Sequence, residues 1–360
     1  MMKKYNFSAG PACLPEEVMR EAREEFIDYK GKGLSVMEMS HRSDDYLEII
    51  ERTKADIKKL GNIGDNYDVL FLQGGASLQF SMVPINLLKN KKAAYVLSGN
   101  WSEKAYDEAR KYGDISVLAS SKDDSYSFIP DLSNVIIDKD LDYIHITENN
   151  TIYGTQYKEI PDFGDICLVN DASSTIFSRK VDFNKFGLVY AGAQKNLGPA
   201  GTTLVIIRKD LLTNTLPDFT PSLLSYKRMA DKDSMYNTPP TYSIYMIGKV
   251  VSWILDQGGL DVIEKRNEEK AKLLYNFLDN SRLFTGLARK DSRSLMNVTF
   301  RTPSDDMDKK FLQLAKDEGL LNLKGHRAIG GLRASIYNYM PLDGVKKLID
   351  VMDGFEREIL

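Results

Sequence analysis

The stretch DICLVNDASSTIFSRKVDFNKFGLVYAGAQKNLGPAGTTLVIIRK, residues 165–209, decides the fold of this 360-residue chain. It contains three short apolar runs, at residues 166–169, 188–191 and 204–207. Each run has the length of a strand that is buried on both faces, and turn-rich polar segments separate the three runs. Because doubly buried strands are typical of parallel sheets covered by helices, the stretch predicts an α/β fold.

Polar side chains follow the first two of these strands. Asp171 follows the first, and Gln194 and Lys195 follow the second. Ligands of open α/β sheets bind outside the carboxyl ends of the strands, so a carboxylate and a lysine are expected at one edge. Pyridoxal 5'-phosphate needs such a pair, because lysine forms its Schiff base and an acid keeps its pyridine nitrogen protonated. The alternative is that both side chains are solvated or paired with neighbours, as is common at strand ends.

Length, charge and cysteine usage narrow the class of protein. A chain of 360 residues suggests two domains with an ample core. The net charge of −3 creates no global field that would recruit nucleic acid or an anionic membrane, so we expect neither partner. Cys13 and Cys167 show no metal-ligand spacing, so no metal is expected and a reducing compartment is indicated. With no signal segment and no long apolar run, we expect a cytoplasmic protein.

The rest of the chain extends the α/β pattern and then leaves it. Strands are predicted at residues 69–72, 93–97 and 143–147, with helices between them, up to about residue 210. This alternation predicts a large, mostly parallel sheet of the seven-stranded type, flanked by helices. From about residue 260 the pattern indicates a smaller α+β domain. Before the first strand, a helix is predicted from Pro15 to near Lys30. Between the sheet region and the smaller domain, residues 217–240 are predicted to form a loop.

Other predicted turns carry groups that a flat, phosphorylated cofactor could use. The glycine pair at 74–75 lies between a strand and a helix, where backbone N–H groups can bind a phosphate. Trp101 either packs in the core or stacks on a ring. Thr151 is either an ordinary turn residue or a hydrogen-bond partner of the ring hydroxyl. Asn237 and Thr238, in the segment NTPPT, are turn-forming residues by default.

Two His-Arg dipeptides, His41-Arg42 and His326-Arg327, use two of the three histidines in the chain. Arginine binds carboxylate and phosphate through a planar fork, and histidine adds a donor that can be charged near neutral pH. The alternative is an ordinary solvated surface. The third histidine, His145, lies inside a predicted strand, and we interpret it as a packed core residue.

Six segments together resemble a known family across nearly the whole chain: FSAGP, SVMEMSHR, DASSTI, GAQKNLGPAG, NTPPT and LKGHRAIGGLRASIYN. They are similar to the phosphoserine aminotransferases, which are class V enzymes of fold type I. The resemblance implies a large domain at 16–259 that binds pyridoxal phosphate, a small domain formed by 1–15 and 260–360, and a homodimer with active sites at the interface. It implies transamination between L-glutamate and 3-phosphohydroxypyruvate, giving O-phospho-L-serine and 2-oxoglutarate in serine biosynthesis. Whether the phosphorylated hydroxythreonine of vitamin B6 synthesis is also a substrate stays open.

The resemblance also implies roles for individual residues. Lys195 would carry the cofactor, and Asp171 would pair with its pyridine nitrogen. The other implied cofactor contacts are Ala76, Ser77, Trp101, Thr151 and Gln194, with Asn237 and Thr238 arriving from the partner subunit. The implied substrate contacts are His41 and Arg42, His326 and Arg327 from the partner, and Arg333 for the α-carboxylate. Some family members have Arg at the position of Ser77 and Ser at the position of Ala9.

Two other functions are compatible with part of this pattern. The first is a different class V aminotransferase that acts on unphosphorylated substrates, which would use the same cofactor residues. A cysteine desulfurase is a poor fit, because neither Cys13 nor Cys167 is placed as a mobile nucleophile. The second is a non-catalytic regulator that binds pyridoxal phosphate. Such a regulator is expected to lose Lys195 or the arginines, and this chain keeps both.

Overall fold

A computed structural model describes residues 3–213 and 215–360. The α-helices of this part of the chain are α1 (Glu16–Glu24), α2 (Asp44–Gly61), α3 (Gln79–Leu87), α4 (Asn100–Ala109), α5 (Tyr226–Ala230), α6 (Thr241–Asp256), α7 (Leu260–Asn280), α8 (Asp305–Asp317) and α9 (Leu342–Ile359). The strands are β1 (Tyr5–Asn6), β2 (Tyr67–Gln73), β3 (Lys92–Leu97), β4 (Asp114–Ser120), β5 (Tyr143–Thr147), β6 (Asn149–Asn150), β7 (Thr155–Gln156), β8 (Leu168–Asp171), β9 (Leu188–Gly192), β10 (Thr202–Arg208), β11 (Thr285–Gly286), β12 (Asn297–Arg301), β13 (Leu320–Leu321) and β14 (Leu332–Ser335).

The main sheet has seven strands in the order β2-β10-β9-β8-β5-β3-β4. Neighbours are parallel except around β10, which runs antiparallel to both β2 and β9. The predicted α/β fold with a large, mostly parallel sheet flanked by helices is therefore confirmed. The three strands predicted in residues 165–209 are β8, β9 and β10, which lie side by side, and the carboxyl ends of β8 and β9 share one edge.

Helix α2 shows how local sequence positions an element near the site. The Ser43 hydroxyl accepts a hydrogen bond from the Tyr46 amide at 3.4 Å and caps the helix, as its position predicts. Asp44 and Asp45 lie in the first turn, where the helix dipole favours negative charge. Asn62 ends the helix in the left-handed conformation. The cap fixes where the chain leaves the preceding segment, which carries one of the His-Arg pairs.

Two local predictions were wrong, in both cases because core packing overrides local propensity. Helix α1 ends at Glu24 rather than near Lys30, and Lys30 has a positive φ of 50°. The turn lets the buried Tyr29 ring meet Tyr245 edge-on at 5.9 Å, which a continued helix would not place there. The segment 217–240 is not entirely loop, because it contains α5, capped by the Ser225 hydroxyl.

A separate apolar cluster lies under β12, β14 and the helices α7 to α9. Phe7 is fully buried in this cluster, and β1 pairs in parallel with β13. These contacts support the proposed division into 16–259 and 1–15 with 260–360, which stays a prediction. Of the described helices, none combines the length and the apolar composition that a membrane crossing requires.

Candidate active site

Lys195 lies three residues beyond the end of β9, in a tight turn. The turn is closed by hydrogen bonds from the Leu197 and Gly198 amides to the Ala193 carbonyl, at 3.0 and 2.9 Å. The Lys195 amine donates to Thr151 Oγ1 at 2.8 Å. Burial lowers the pKa of Lys195 to about 8, against the attraction of the Asp171 carboxylate. An amine that is partly neutral near physiological pH can act as a nucleophile and as a base.

Asp171 ends β8 and is only 6% exposed. Its Oδ1 accepts a hydrogen bond from the Ser173 amide at 3.0 Å. Burial raises the pKa of Asp171, while Ser173, Lys195 and the Tyr190 hydroxyl act in the opposite direction. A buried carboxylate of this kind is best stabilised by a cation placed directly against it, and a protonated pyridine nitrogen provides one.

Arg333, on β14, joins the same cluster. Its Nη1 donates to the Thr151 carbonyl at 3.0 Å. Burial lowers the pKa of Arg333, and its positive charge in turn lowers the pKa of Lys195. Among residues 3–213 and 215–360 no acidic side chain forms an ion pair with Arg333. A half-buried arginine without a counter-ion fits an anionic ligand.

His326 lies within the electrostatic range of several cations. Burial lowers the pKa of His326, and the positive charges of Arg333, Arg327 and Lys104 lower it further. Lys104 was not singled out from the sequence, although it follows Trp101 by three residues and so shares its helix face. Its Nζ lies 4.8 Å from the centroid of the Trp101 ring. This end of the site is therefore strongly cationic.

Trp101 lies in the first turn of α4, next to the segment that carries Thr151. The Ser98 and Gly99 amides both donate to Ser102 Oγ at 3.0 Å, which fixes the start of the helix. A Cβ on Gly99 would lie 2.4 Å from Asn150 Oδ1, so only glycine allows the two segments this close. Trp101 Nε1 is buried without a partner in the described structure. The geometry brings Trp101 to the site and leaves its stacking role a prediction.

A second group of predicted residues forms a backbone cradle at the end of β2. Gly74 has a positive φ of 91°, and a Cβ on either glycine of the 74–75 pair would meet no atom within 4 Å. Ala76 and Ser77 follow in a 3-10 helix, and the Ser77 side chain is exposed. The Thr203 hydroxyl donates to the Gly74 carbonyl at 3.1 Å and holds the loop on the sheet. Open space in front of a glycine-rich turn fits a phosphate group.

The segment with Asn237 and Thr238 lies beside this cradle. Gln73 Nε2 donates to Asn237 Oδ1 and to the Thr238 carbonyl, both at 3.0 Å. Asn237 and Thr238 are both exposed. Their place at an open surface is compatible with a role in a partner subunit, which stays a prediction.

The N-terminal segment covers Lys195 from another side. The Ala12 amide donates to the Gln194 carbonyl at 2.9 Å. A Cβ on Gly10 would lie 3.3 Å from Lys195 Cγ, so glycine permits this close approach. The Tyr337 hydroxyl donates to the backbone carbonyl of Ala9 at 2.8 Å. Because this contact uses the backbone, it does not depend on whether residue 9 is Ala or Ser.

One predicted pair stands apart from the cluster. His41 and Arg42 precede α2, and no described hydrogen bond or ion pair joins either of them to another predicted site residue. His41 Nε2 is buried and has no partner in the part of the chain that the structure describes. The Arg42 side chain is exposed. Their role in substrate binding stays a prediction.

Some polar residues of the site were missed from the sequence. Ser174 Oγ accepts hydrogen bonds from Asn149 Nδ2 at 2.8 Å and from the Thr151 hydroxyl at 3.4 Å. Ser173 and Ser174 lie two and three residues after Asp171 in the segment DASSTI, so their spacing gave a usable signal. The tyrosines Tyr190 and Tyr337 gave none, because buried tyrosines are common in cores of this size.

Comparisons with known proteins show which family the chain belongs to. The family model described as "Aminotransferase class-V" matches residues 4–348. The phosphoserine aminotransferase of one strain of Bacillus cereus is 51% identical over 359 residues, covering 99% of each chain. That of Acinetobacter baylyi is 52% identical over 356 residues, covering 98% of this chain and 99% of its own. The solved phosphoserine aminotransferase from Bacillus circulans subsp. alkalophilus has a TM-score of 0.97 and 45% identity, with 99% of each chain covered.

The fold and the site define a pyridoxal-phosphate-dependent aminotransferase. The chain belongs to the class V aminotransferase family, as the match over most of its length shows. The resemblance drawn from the sequence motifs is thereby confirmed, as are the predicted cofactor and the enzymatic class. The residues fit the cofactor, since they offer a partly neutral lysine, a buried carboxylate and an open glycine cradle.

Proposed function

We propose that this aminotransferase acts in serine biosynthesis and transfers an amino group between L-glutamate and 3-phosphohydroxypyruvate. The observation that carries the proposal is the cationic end of the site. Arg327, Arg333 and Lys104 all lie within electrostatic range of His326. None of the arginines or the lysine among them has an acidic partner in the described residues. Such a group needs an anion to balance its charge, and a substrate with a carboxylate and a phosphate supplies two.

The residues around Lys195 then perform distinct tasks. Pyridoxal phosphate, held by Lys195 and Asp171, supplies an electron sink for negative charge at the substrate Cα. Lys195, once free of the cofactor, would take the proton from the Cα of the amino donor and, in the second half-reaction, supply a proton to the Cα of the amino acceptor, for which a pKa of about 8 is well suited. Thr151, which already contacts the Lys195 amine, keeps that amine oriented. Arg333 binds the α-carboxylate of the substrate through its guanidinium fork.

The distal group of the substrate is assigned to the two His-Arg pairs. A phosphate carries up to two charges, and its transfer from water without partners is prohibitively unfavourable. Charge-assisted hydrogen bonds from His41, Arg42, His326 and Arg327 would replace its hydration. The side-chain carboxylate of glutamate would use the same groups. Since His41 and Arg42 do not contact the rest of the site within the described chain, this assignment requires a homodimer in which one subunit completes the other's site.

The proposal includes a cytoplasmic homodimer. Cys13 and Cys167 are both free thiols, which suits a reducing compartment. Asn237 and Thr238 lie on an exposed loop beside the cradle, where a second subunit could meet them. We assign these two residues to the phosphate site of the partner subunit.

Replacing Arg42 or Arg327 by alanine is expected to lower kcat/KM for 3-phosphohydroxypyruvate about tenfold to a hundredfold. The reason is that a hydrogen bond to a charged group contributes roughly 1.5–3 kcal/mol. The measurement compares phosphorylated and plain hydroxypyruvate as acceptors, with glutamate as donor, in the parent and in each variant. Arg282→Ala, at an exposed arginine between α7 and β11, is the matched control and should behave as the parent does.

The comparison also separates the proposed substrate from its main alternative. A parent enzyme that uses plain hydroxypyruvate as well as the phosphorylated acceptor would indicate a class V aminotransferase for unphosphorylated substrates. If both arginine variants keep the parent's preference for the phosphorylated acceptor, the His-Arg pairs do not bind the phosphate group of the substrate. Absence of any turnover in the cofactor-loaded parent would favour the non-catalytic regulator.

Mixed dimers are expected to recover activity from two inactive variants. One subunit carries Lys195→Ala and the other carries Asn237→Ala with Thr238→Ala. If the loop crosses the interface, one site of the mixed dimer combines an intact Lys195 with the intact loop of the Lys195→Ala subunit. The measurement is transaminase activity after subunit exchange, with mixed dimers isolated by two different affinity tags.

The control for this experiment places all three substitutions in one chain and pairs that chain with the parent. If the loop crosses the interface, the intact Lys195 of the parent subunit lies at a site whose loop comes from the substituted subunit. This control dimer therefore stays inactive. The opposite pattern, with an active control and an inactive test dimer, would show that each site is built within one chain.

A further inference from the structure

His145 forms a buried polar pair with Tyr190, which is the register partner of Asp171, and packing alone does not account for this pair. Its Nε2 lies 3.0 Å from the Tyr190 hydroxyl, and its ring stacks on Tyr95 with centroids 4.6 Å apart and planes 16° from parallel. Asp171 and Tyr190 are register partners on the parallel strands β8 and β9. Their side chains therefore leave the sheet on the same face, and the Tyr190 hydroxyl acts on the Asp171 carboxyl.

The direction of the hydrogen bonds follows from the number of protons available. The Tyr190 hydroxyl has one proton, and an ionised carboxylate can only accept. If that proton goes to Asp171, the hydroxyl must receive its second hydrogen bond from His145 Nε2–H. His145 Nδ1 is then a bare acceptor, and it has no partner among the described residues. In the reverse direction, Tyr190 would donate to His145 Nε2, and the imidazole proton would be on Nδ1. A buried Nδ1–H would then have no acceptor and the Asp171 carboxylate would lose a donor, so this arrangement has the higher free energy.

The surroundings keep His145 neutral. The titratable groups around His145, Tyr190 and Asp171 are Lys195, Tyr95, Tyr143 and Tyr226. Burial lowers the pKa of His145 to about 3, so the ring carries no charge over the working range of pH. The Tyr95 hydroxyl is engaged with the Tyr143 hydroxyl at 2.9 Å and does not contact the imidazole nitrogens.

We propose that Tyr190 and His145 are positioning residues for Asp171, with His145 Nε2–H donating to the Tyr190 hydroxyl and Tyr190 donating to the Asp171 carboxylate. The neutral imidazole fixes the direction of the hydroxyl proton, and the hydroxyl holds the carboxylate ionised and aimed at the position of the pyridine nitrogen. The Ser173 amide holds Oδ1 of the same carboxylate. This inference does not depend on which acceptor the aminotransferase uses, so it can fail while the proposed substrate stands.

The tautomer of His145 gives the first test. The chain has three histidines, so a holoenzyme labelled with ¹⁵N-histidine gives a simple NMR spectrum, and His145→Gln identifies the resonances of His145. We expect the proton on Nε2, Nδ1 unprotonated, and no change between about pH 8 and pH 5. A proton on Nδ1 would overturn the proposal, because Tyr190 would then donate to His145 and not to Asp171.

The second test removes the Tyr190 hydroxyl alone. Tyr190→Phe holoenzyme should lose roughly tenfold in kcat, with both KM values within about twofold of the parent, because only the support of Asp171 is lost. The pH midpoint of the bound cofactor's absorbance, which senses the charge at Asp171, should shift. Tyr143→Phe deletes an equally buried hydroxyl whose one hydrogen-bond partner among residues 3–213 and 215–360 is Tyr95, and it should change neither quantity. Identical behaviour of the two variants would overturn the proposal, whereas a shifted midpoint in Tyr190→Phe alone supports it.

Discussion

Lys195→Ala is expected to abolish measurable transamination while the protein keeps its fold. The side chain lies in a turn that is fixed by backbone hydrogen bonds, so its removal leaves the turn closed. Loss of the proton transfer at the substrate Cα alone should lower kcat by about a hundredfold to ten-thousandfold. Loss of the covalent attachment of the cofactor adds to this. The partner of the amine, Thr151, keeps its hydrogen bond to Ser174 and is not left unsatisfied.

The measurement combines turnover with a chemical label. Reduction with borohydride should fix the cofactor covalently to Lys195 in the parent, as peptide mapping would show, and should fix none in the variant. Lys209→Ala, at an exposed lysine at the end of the same stretch, is the control and should keep both activity and labelling. Retained activity in Lys195→Ala with label on another lysine would refute the assignment.

The parts of the fold that the sequence predicts are those decided by local burial. The apolar runs at 188–191 and 204–207 are buried on both faces and identify β9 and β10. Of the run at 166–169, residues 168–169 are buried and begin β8, whereas residues 166–167 are half-buried and precede it. Asp171 ends β8 and Lys195 lies three residues beyond β9, and strand ends that share an edge bring their side chains together. Strand β4 was not predicted, because at the sheet edge most of its residues are exposed or half-buried and its one apolar run is only three residues long.

What the sequence does not predict depends on the order and register of strands that are distant in the chain. Tyr190 lies beside Asp171 only because β9 pairs with β8 in that register. His145 reaches Tyr190 across β8, which separates β5 from β9 in the sheet. The interpretation of His145 as a packed core residue is right about its burial and incomplete about its hydrogen bond. The sequence pattern of a single strand cannot predict these contacts between Tyr190, Asp171 and His145, since each contact depends on how the strands pair in the sheet.

Asp171→Asn is expected to keep the fold and to lower kcat about tenfold to a thousandfold. An opposite charge within a few ångströms shifts a pKa by about 1–3 units, and asparagine withdraws that charge from the pyridine nitrogen. The amide oxygen can still accept from the Ser173 amide, so the local backbone is retained. Steady-state kinetics should show a fall in kcat larger than the change in either KM. Unchanged turnover would assign Asp171 a purely structural role.

Asp171→Asn, which is expected to lower kcat, should raise the stability of the cofactor-free protein. Burial raises the pKa of Asp171 in the folded state above its ordinary value. Its folded state therefore binds the proton more tightly than the unfolded state, and stability falls as the pH rises through the raised pKa. Asparagine has no carboxylate to ionise, so the cofactor-free variant should unfold at a higher temperature than the parent near neutral pH. That difference should shrink as the pH is lowered toward the ordinary pKa of aspartate.

Thermal unfolding of both proteins across this range, with and without cofactor, measures the effect. The opposite result would be a variant that is less stable than the parent at neutral pH without cofactor. It would show that the buried carboxylate stabilises the fold, whereas we expect it to destabilise the cofactor-free protein.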